Sequence, residues 1–268
     1  MKLSISNLAW NSSTTLEEVI PKLSKAGMNG IEIAPTKIWP DIEDITSQDI
    51  SDFRKKLEDN DLVVSGIQSL MFGHPEFQLF QESTWASMLN HLEKMIDLAG
   101  SLGASVAVFG SPKNRIKGDL SVLEANELAA TFLKKLVPCL SENNVTLTLE
   151  PNAPAYGADF LITYQDVIDL SLEIDSKRIR PQIDTGCLWM AGVEPSNAYN
   201  LMAPEHVHLS VPNLEIVPGE KDFSSFLNLV NQSDYKGWLV IEMLDNEANS
   251  LSQTIESAEW LFSCIEKH

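Results

Sequence analysis

Short apolar runs alternate with longer amphipathic stretches along the whole chain. The short runs have the length of strands, whereas the longer stretches repeat apolar residues at the spacing of a helix. The predicted strands are KLSIS, IEIA, LVVSGIQ, VAVFG, TLTLE, RPQID, HVHLS and WLVIE. Each is followed by a predicted helix, and these helices are TLEEVIPKLSKAG, SQDISDFRKKLEDN, STWASMLNHLEKMIDLAGSLG, LEANELAATFLKKLVPCLSENN, TYQDVIDLSLEI, PSNAYNLM, DFSSFLNLVNQS and SLSQTIESAEWLFSCI.

This alternation predicts the fold class. Strand and helix units in turn imply a parallel sheet, and no low-complexity linker separates the eight units. Eight units suggest a closed (β/α)8 TIM barrel, expected as one α/β domain over residues 1–268, with its site at the carboxyl ends of the strands. A doubly wound open sheet is the alternative. The first strand is not followed by G-x-G-x-x-G, which disfavours dinucleotide binding.

Charge and cysteine content narrow the function classes. The 268 residues carry a formal net charge of −19, with a pI of about 4.5. Such acidity argues against binding to duplex nucleic acid and to anionic membranes. No apolar run approaches a membrane span, and the first residues lack a signal-peptide core. The three cysteines are widely spread, so we expect a reduced, cytoplasmic protein.

The fifth to eighth predicted strands each end in polar residues that lie on the same face of the strand. Side chains alternate between the two faces of a strand, so the aliphatic residues of TLTLE, RPQID, HVHLS and WLVIE share one face. That face suits packing under helices, and the opposite face then points into the barrel. At or near the carboxyl ends of these strands the inner face carries Glu150, Asp184, His208 and Glu242.

These four residues predict a metal site. Three carboxylates beside one imidazole would raise one another's pKa values, and a divalent cation removes that cost. Oxygen-rich ligands with one nitrogen favour Mn²⁺, with Mg²⁺, Co²⁺ or Zn²⁺ as alternatives. Two positions would stay open for adjacent carbonyl and hydroxyl oxygens of a substrate. The alternative interpretation is that the four residues are separate polar groups at strand ends, some of them paired with lysines.

Further candidates lie near the predicted mouth of the barrel. Lys113 and Arg115 follow the fourth strand and are interpreted as cations that could hold a phosphate or carboxylate of the substrate, or as parts of a solvated loop. Glu32 and Gln68 end the second and third strands. They are expected to hydrogen-bond substrate hydroxyls or to pair inside the barrel.

Two histidines and a tryptophan complete the candidates. His206 lies one layer deeper than His208 and is either a hydrogen-bond partner of a metal ligand or a satisfied core histidine. His74, in the long loop after the third strand, could cap the pocket. Trp10 follows the first strand and could stack on a sugar face, although aromatic residues more often pack in the core.

The spacing of the four strand ends and the sequence segments around them resemble those of the xylose isomerase-like barrel superfamily. Within it, the resemblance is to the sugar phosphate isomerases and epimerases, a branch that includes the tagatose and psicose 3-epimerases. The steps from Glu150 to Asp184, His208 and Glu242 are 34, 24 and 34 residues. The segments LEPNAPAYGADF, IDTG, HVHLS and YKGWLVIEM are also similar to the corresponding segments of the family. The resemblance covers essentially the whole chain.

The resemblance implies a function and a mechanism. It implies that the four residues hold Mn²⁺ or Co²⁺ and that Glu150 and Glu242 remove and return a proton beside a carbonyl, through a metal-stabilised cis-enediolate. The expected activity is that of an epimerase or isomerase of a sugar, sugar phosphate or related hydroxy-carbonyl compound. The expected partner is a small carbohydrate-like substrate, and homodimers and homotetramers are common in the family.

Three substrate contacts of the tagatose-type enzymes are replaced in this chain. Cys187 stands where they carry a histidine, Tyr156 where they carry a glutamate, and VPNLEI where they carry an arginine. These replacements argue against a free ketohexose as substrate. We interpret Cys187 as a small apolar filler and Tyr156 as a candidate substrate contact.

Other activities of the superfamily remain as alternatives. A metal-dependent dehydratase of an inosose- or dehydroshikimate-like substrate would use the same metal chemistry but expel a hydroxyl group. Endonuclease IV shares the fold, but it needs a histidine-rich trinuclear zinc site, and an acidic chain repels DNA. A non-catalytic sugar-binding barrel would leave the four aligned metal-ligand candidates unexplained.

Overall fold

The computed structural model describes residues 1–245 and 251–266 and contains a closed parallel barrel. Each of its eight strands pairs in parallel with the next, and β1 closes the ring against β8 with Lys2 opposite Trp238. The strands are β1 Lys2–Ser6, β2 Gly30–Ile33, β3 Val63–Ile67, β4 Val106–Phe109, β5 Thr146–Leu149, β6 Ile179–Asp184, β7 His206–Leu209 and β8 Trp238–Ile241. The predicted TIM barrel is confirmed, and the open sheet is excluded.

Helices surround this barrel. They are α1 Leu16–Lys25, α2 Ser47–Glu58, α3 Trp85–Leu102, α4 Val122–Lys134, α5 Val137–Glu142, α6 Tyr164–Ile174, α7 Thr185–Met190, α8 Pro195–Leu201, α9 Ser224–Gln232 and α10 Leu251–Glu266. The predicted start of the last helix, Ser250, lies outside the described residues. Among the described residues, no helix is long and apolar enough to cross a membrane.

Two helices differ from the sequence prediction. The stretch predicted as one helix from Leu123 to Asn144 is divided into α4 and α5, and Pro138 lies in the first turn of α5. Proline has no backbone N–H and is favoured in the first turn of a helix, so its position agrees with a new start there. The short helix α7 directly after β6 was not predicted.

Side-chain oxygens fix the starts of several helices. At α2, α4 and α6 a Ser or Thr precedes the helix and a carboxylate lies three residues later. In α4, for example, Ser121 Oγ accepts from the Glu124 N–H, and the Glu124 carboxylate accepts from the Ser121 N–H at 2.9 Å. These reciprocal bonds satisfy backbone donors that a helix start leaves free. They set where each helix begins on the barrel.

The alternation along the strands separates an apolar layer from a polar barrel interior. Aliphatic residues such as Leu147, Ile183 and Val207 are fully buried in the hydrophobic core. Inside the barrel, polar groups pair instead, as Thr148 Oγ1 does in donating to Gln182 Oε1 at 2.6 Å. The predicted two-faced strands are therefore present, and their inner faces can deliver polar groups to the barrel mouth.

Candidate metal centre

Four side chains from consecutive strands converge at the carboxyl end of the barrel. Asp184 is the last residue of β6 and lies in register with His208 of β7, while Glu150 and Glu242 directly follow β5 and β8. One ligand atom from each lies within 4.8 Å of those from the other three. The structure therefore brings together the four residues that the sequence proposes as metal ligands.

The two ring nitrogens of His208 have different surroundings. Nε2 lies 2.8 Å from Glu32 Oε1, and a carboxylate there requires a proton on Nε2. Nδ1 lies 2.8 Å from Glu150 Oε1 and 3.1 Å from Glu242 Oε2, yet it makes no hydrogen bond of ordinary geometry to either. When Nδ1 carries no proton, its lone pair faces two carboxylates, which fits a cation held between them.

Hydrogen bonds hold the Glu150 carboxylate in place. Gln182 Nε2 donates to Oε1 at 2.9 Å, and Asn152 Nδ2 donates to Oε2 at 3.0 Å. Asn152 is itself oriented by Arg115, whose Nη2 donates at 2.7 Å to Asn152 Oδ1 and to the Glu150 carbonyl oxygen. Glu150 is therefore fixed through two amides and a buried guanidinium.

Asp184 is held at the junction between β6 and α7. Its Oδ1 accepts from the backbone N–H of Cys187 at 2.6 Å, which caps the start of α7, and its Oδ2 accepts from Ser210 Oγ at 2.7 Å. Ser210 Oγ in turn accepts from the N–H of Gly186, where a Cβ would lie 2.6 Å from that oxygen. The close approach explains the glycine.

The carboxylates have unequal electrostatic environments. Burial raises the pKa of Asp184 to about 7, aided by the charges of Glu150 and Glu242. Burial also raises the pKa of Glu242; nearby His208 opposes this, but Glu150 and Glu32 add to it. Burial acts in the same direction on Glu150, but His208, Asn152 and Arg115 outweigh it and leave its pKa lowered. Three crowded acids of this kind accommodate a cation readily.

Glu32 lies beneath the four residues and binds both strand-7 histidines. Its Oε2 lies 2.7 Å from His206 Nε2, and all three side chains are fully buried. Burial acts against its charge, but the two imidazoles lower the pKa of Glu32 to about 2. With the Gln68 amide oriented so that its oxygen accepts from Ser6 Oγ, its nitrogen donates to Glu32 Oε1 at 2.7 Å and to Glu242 Oε1 at 3.1 Å.

A cavity of about 460 Å³ opens above the four residues. Gln68, Asn152 and Tyr156 contribute polar groups to its wall, and His74 and Lys113 line it as well. Apolar side chains form much of the remainder, namely Leu8, Met71, Phe72, Pro75, Pro112 and Leu214. This volume falls within the range of about 300–1,000 Å³ that is typical of small-molecule pockets.

Four of the further candidates lie away from this cavity. Arg115 was expected at the mouth of the barrel, but it is fully buried and its guanidinium bonds backbone and Asn152 oxygens behind the wall. Trp10 was expected at the pocket but is 5% exposed and packs in the core. Glu32 and His206 bond each other below the cavity floor. The expectation of pairing inside the barrel describes these last two better than substrate contact.

Sequence reasoning missed three residues that support the site. Gln182 and Asn152 bind the Glu150 carboxylate, and Ser210 binds Asp184. Gln182 shares the inner face of its strand with Asp184, and Ser210 follows His208 by two residues, so strand alternation could have indicated both. Asn152 lies in a loop, where alternation gives no such signal.

Comparison with protein families agrees with this architecture. A family model described as a xylose isomerase-like TIM barrel matches residues 20–264, and the chain belongs to that family. Curated protein sequences give no significant match.

Solved structures with this fold include several enzymes. A D-psicose 3-epimerase crystallised in the presence of D-fructose has a TM-score of 0.80 and 15% identity, covering 98% of this chain and 97% of that one. The 3-keto-D-glucoside 4-epimerase from E. coli has a TM-score of 0.76 and 16% identity over 98% and 100%. An AP endonuclease of family 2 from Brucella melitensis has the same score and identity over 98% and 99%. At these identities the likeness establishes the fold.

Proposed function

We propose that the protein is a divalent-metal-dependent epimerase or isomerase of a sugar or related hydroxy-carbonyl compound. The observation that carries this proposal is the position of His208 Nδ1 between Glu150 and Glu242, with Nε2 committed to Glu32. This arrangement presents one nitrogen and several carboxylate oxygens to one point. Such a donor set suits Mn²⁺, Mg²⁺ or Co²⁺ and leaves room for two substrate oxygens.

The cation and the two glutamates would have separate tasks. A divalent ion held by Glu150, Asp184, His208 and Glu242 supplies Lewis-acid polarisation of a substrate carbonyl, which acidifies the neighbouring C–H. Glu150 and Glu242 both lie beside His208 Nδ1, so one carboxylate is placed to take that proton and the other to return it. Delivery to the opposite face inverts the carbon, and delivery to the neighbouring carbon isomerises the substrate.

The size and wall of the cavity support a small hydroxy-carbonyl substrate. Gln68 and Asn152 line the cavity beside the carboxylates, and their amides hold Glu242 and Glu150 in place for a bound substrate. The resemblance in fold to a D-psicose 3-epimerase and a 3-keto-D-glucoside 4-epimerase is consistent with this class.

DNA repair is disfavoured although one solved neighbour is named as an AP endonuclease. Of the histidines near the cavity, His206 is bonded to Glu32 below the floor and His74 is paired with Glu76 at the rim. Glu32, His206 and His208 form a second group of possible metal ligands, but it shares His208 with the first, so the two groups offer two histidines in all. The net charge of −19 also repels a polyanion.

Metal-dependent solvent exchange tests the proposed function. Purified protein is incubated in deuterated water with Mn²⁺ and a panel of ketoses, ketoglycosides and sugar phosphates, and deuterium beside the carbonyl is followed by NMR. We expect exchange that requires Mn²⁺, is lost in Glu150→Gln and is retained in Glu127→Gln, an exposed change on α4. Exchange that persists in Glu150→Gln would refute the role of that glutamate.

Product mass separates the two reactions that share this chemistry. An epimer or isomer has the mass of its substrate apart from incorporated deuterium. A product lighter by one water would assign the protein to the dehydratases instead.

A further inference from the structure

The outer half of the cavity contrasts with its floor. The floor consists of the metal-ligand candidates and the amides of Gln68 and Asn152, whereas the walls above carry Leu8, Met71, Phe72 and Leu214. A reacting hydroxy-carbonyl unit that binds at the floor satisfies the polar groups there. The apolar walls can then contact only a part of the substrate that extends toward the mouth.

Phe72 is the most exposed of these wall residues. Phe72 is 68% exposed, in the loop that follows β3, and it lines the same cavity as Glu150 and His208. The next residue, Gly73, has a φ of +86°, at which the loop turns. An aromatic face that is exposed at the mouth of a pocket is suited to stack on a ligand ring.

The charges around the cavity disfavour an anionic extension. Arg115, the second cation of the 109–115 loop, is buried with its guanidinium bonded to protein oxygens. Apart from the metal-ligand candidate His208, the basic side chains that line the cavity among the described residues are Lys113 and His74, and His74 lies 2.9 Å from Glu76. A phosphate would thus have one exposed lysine as an unshared cation, above a floor of three carboxylates.

Two positions nearer the floor are also unsuited to a free sugar. Cys187 is 4% exposed and lines the cavity with a small side chain. The Tyr156 hydroxyl accepts from the backbone N–H of Asn213 at 2.9 Å, and its ring lines the cavity. Cys187 adds a small thiol and Tyr156 an aromatic ring to the wall, and neither residue adds a charged group there.

We propose that the substrate is a neutral hydroxy-carbonyl compound with a ring substituent, as in an oxidised glycoside, and that Phe72 stacks on that ring. This inference rests on the proposed function and narrows it, since it excludes both free monosaccharides and sugar phosphates as preferred substrates. The ring occupies the subsite between Met71, Phe72 and Leu214, and the hydroxy-carbonyl unit binds at the floor.

Three small probes test this subsite without knowledge of the natural substrate. Hydroxyacetone, 1-hydroxy-3-phenylacetone and hydroxyacetone phosphate share the hydroxy-carbonyl unit and differ in their extension. Calorimetry on the Mn²⁺-loaded protein should show the phenyl compound binding about tenfold more tightly than hydroxyacetone, the scale expected for burying part of an aromatic ring. The phosphate should bind no more tightly than hydroxyacetone.

A matched pair of variants locates the effect. Phe72→Ala should remove most of the preference for the phenyl compound and leave Mn²⁺ binding unchanged, whereas Leu172→Ala, an exposed change on α6 outside the cavity, should alter neither. Equal affinity for hydroxyacetone and its phenyl analogue, tightest binding of the phosphate, or no binding of the phenyl compound would each overturn the inference. If Mn²⁺ still binds and solvent exchange is still observed in those cases, the proposed function is retained and this inference alone is refuted. Failure of Mn²⁺ to bind would refute both.

Discussion

Glu32 and His208 form a buried hydrogen bond of 2.8 Å between Oε1 and Nε2 that crosses the barrel from β2 to β7. This contact places the proton on Nε2 and directs the Nδ1 lone pair toward Glu150 and Glu242. A residue that lies 176 positions away in the sequence thus sets which nitrogen of His208 faces the candidate metal centre.

Removing the charge of Glu32 should weaken metal binding. In Glu32→Gln the amide can no longer accept from both imidazoles as a carboxylate does, so His208 loses its fixed tautomer. We expect Mn²⁺ affinity to fall by about 10- to 100-fold, the usual effect of losing such a partner. Calorimetric titration measures this, with Glu76→Gln at the exposed rim as the control. An unchanged affinity would contradict the role given to Glu32.

Gly110 tests the position of the Glu150 carboxylate. A Cβ at this residue would lie 2.5 Å from Glu150 Oε2, so Gly110→Ala must displace that carboxylate. We expect weaker Mn²⁺ binding and loss of solvent exchange in a folded protein. Gly118→Ala is the comparison, because its φ of +57° strains the backbone although no atom lies within 4 Å. That variant should lose some stability and keep its metal affinity; the opposite pattern would count against the geometry of Glu150.

Arg115 should matter for stability as well as for the site. Its guanidinium is fully buried and bonds three protein oxygens, those of Phe109, Glu150 and Asn152. Arg115→Met removes all three bonds and leaves Asn152 Oδ1 without this donor, which we expect to cost about 3 kcal/mol in the free energy of unfolding. Arg54→Met, which removes an exposed pair with Glu58, should cost less than about 1 kcal/mol. Urea unfolding compares the two, and equal losses would show that the buried network contributes nothing.

The metal-free protein should lose stability as pH rises. The pKa of Asp184 is about 7 when folded and about 4 when unfolded, so the folded state holds an extra proton in that interval. Burial opposes the charge of His208, but Glu242 and Glu32 raise its pKa, so its contribution also falls as pH rises through the folded value. More protons in the folded state mean that stability declines with pH.

Chemical unfolding in the presence of a chelator, between about pH 5 and pH 8, measures this slope. The Asp184→Asn variant has no proton to release at that position and should show a flatter dependence. A slope that is the same in both proteins would contradict the raised pKa of Asp184.

The sequence predicts the barrel and its four convergent residues because both depend on local patterns. Strand alternation places Glu150, Asp184, His208 and Glu242 on inner faces, and register then brings them together at one end. Helix α7 was missed because its start depends on the Asp184 carboxylate, which also reads as a strand end.

Residues whose partners are distant in sequence could not be placed. Arg115 looks like a loop cation, and its burial depends on backbone oxygens of Phe109 and Glu150 that only the folded chain brings near. Trp10 likewise follows a strand, yet its side chain packs in the core and does not line the cavity. In both cases tertiary packing, rather than local pattern, decides which way the side chain is directed.

The most direct test of the candidate metal centre is the nitrogen coordination of bound Mn²⁺. Pulsed electron paramagnetic resonance on protein titrated with one equivalent of Mn²⁺ should detect coupling to a single imidazole nitrogen. That coupling should vanish in His208→Gln and persist in His206→Gln, which changes the neighbouring histidine on the same strand. Failure of Mn²⁺ to bind, or a nitrogen coupling that survives in His208→Gln, would contradict the account of residues 150, 184, 208 and 242 as a metal site.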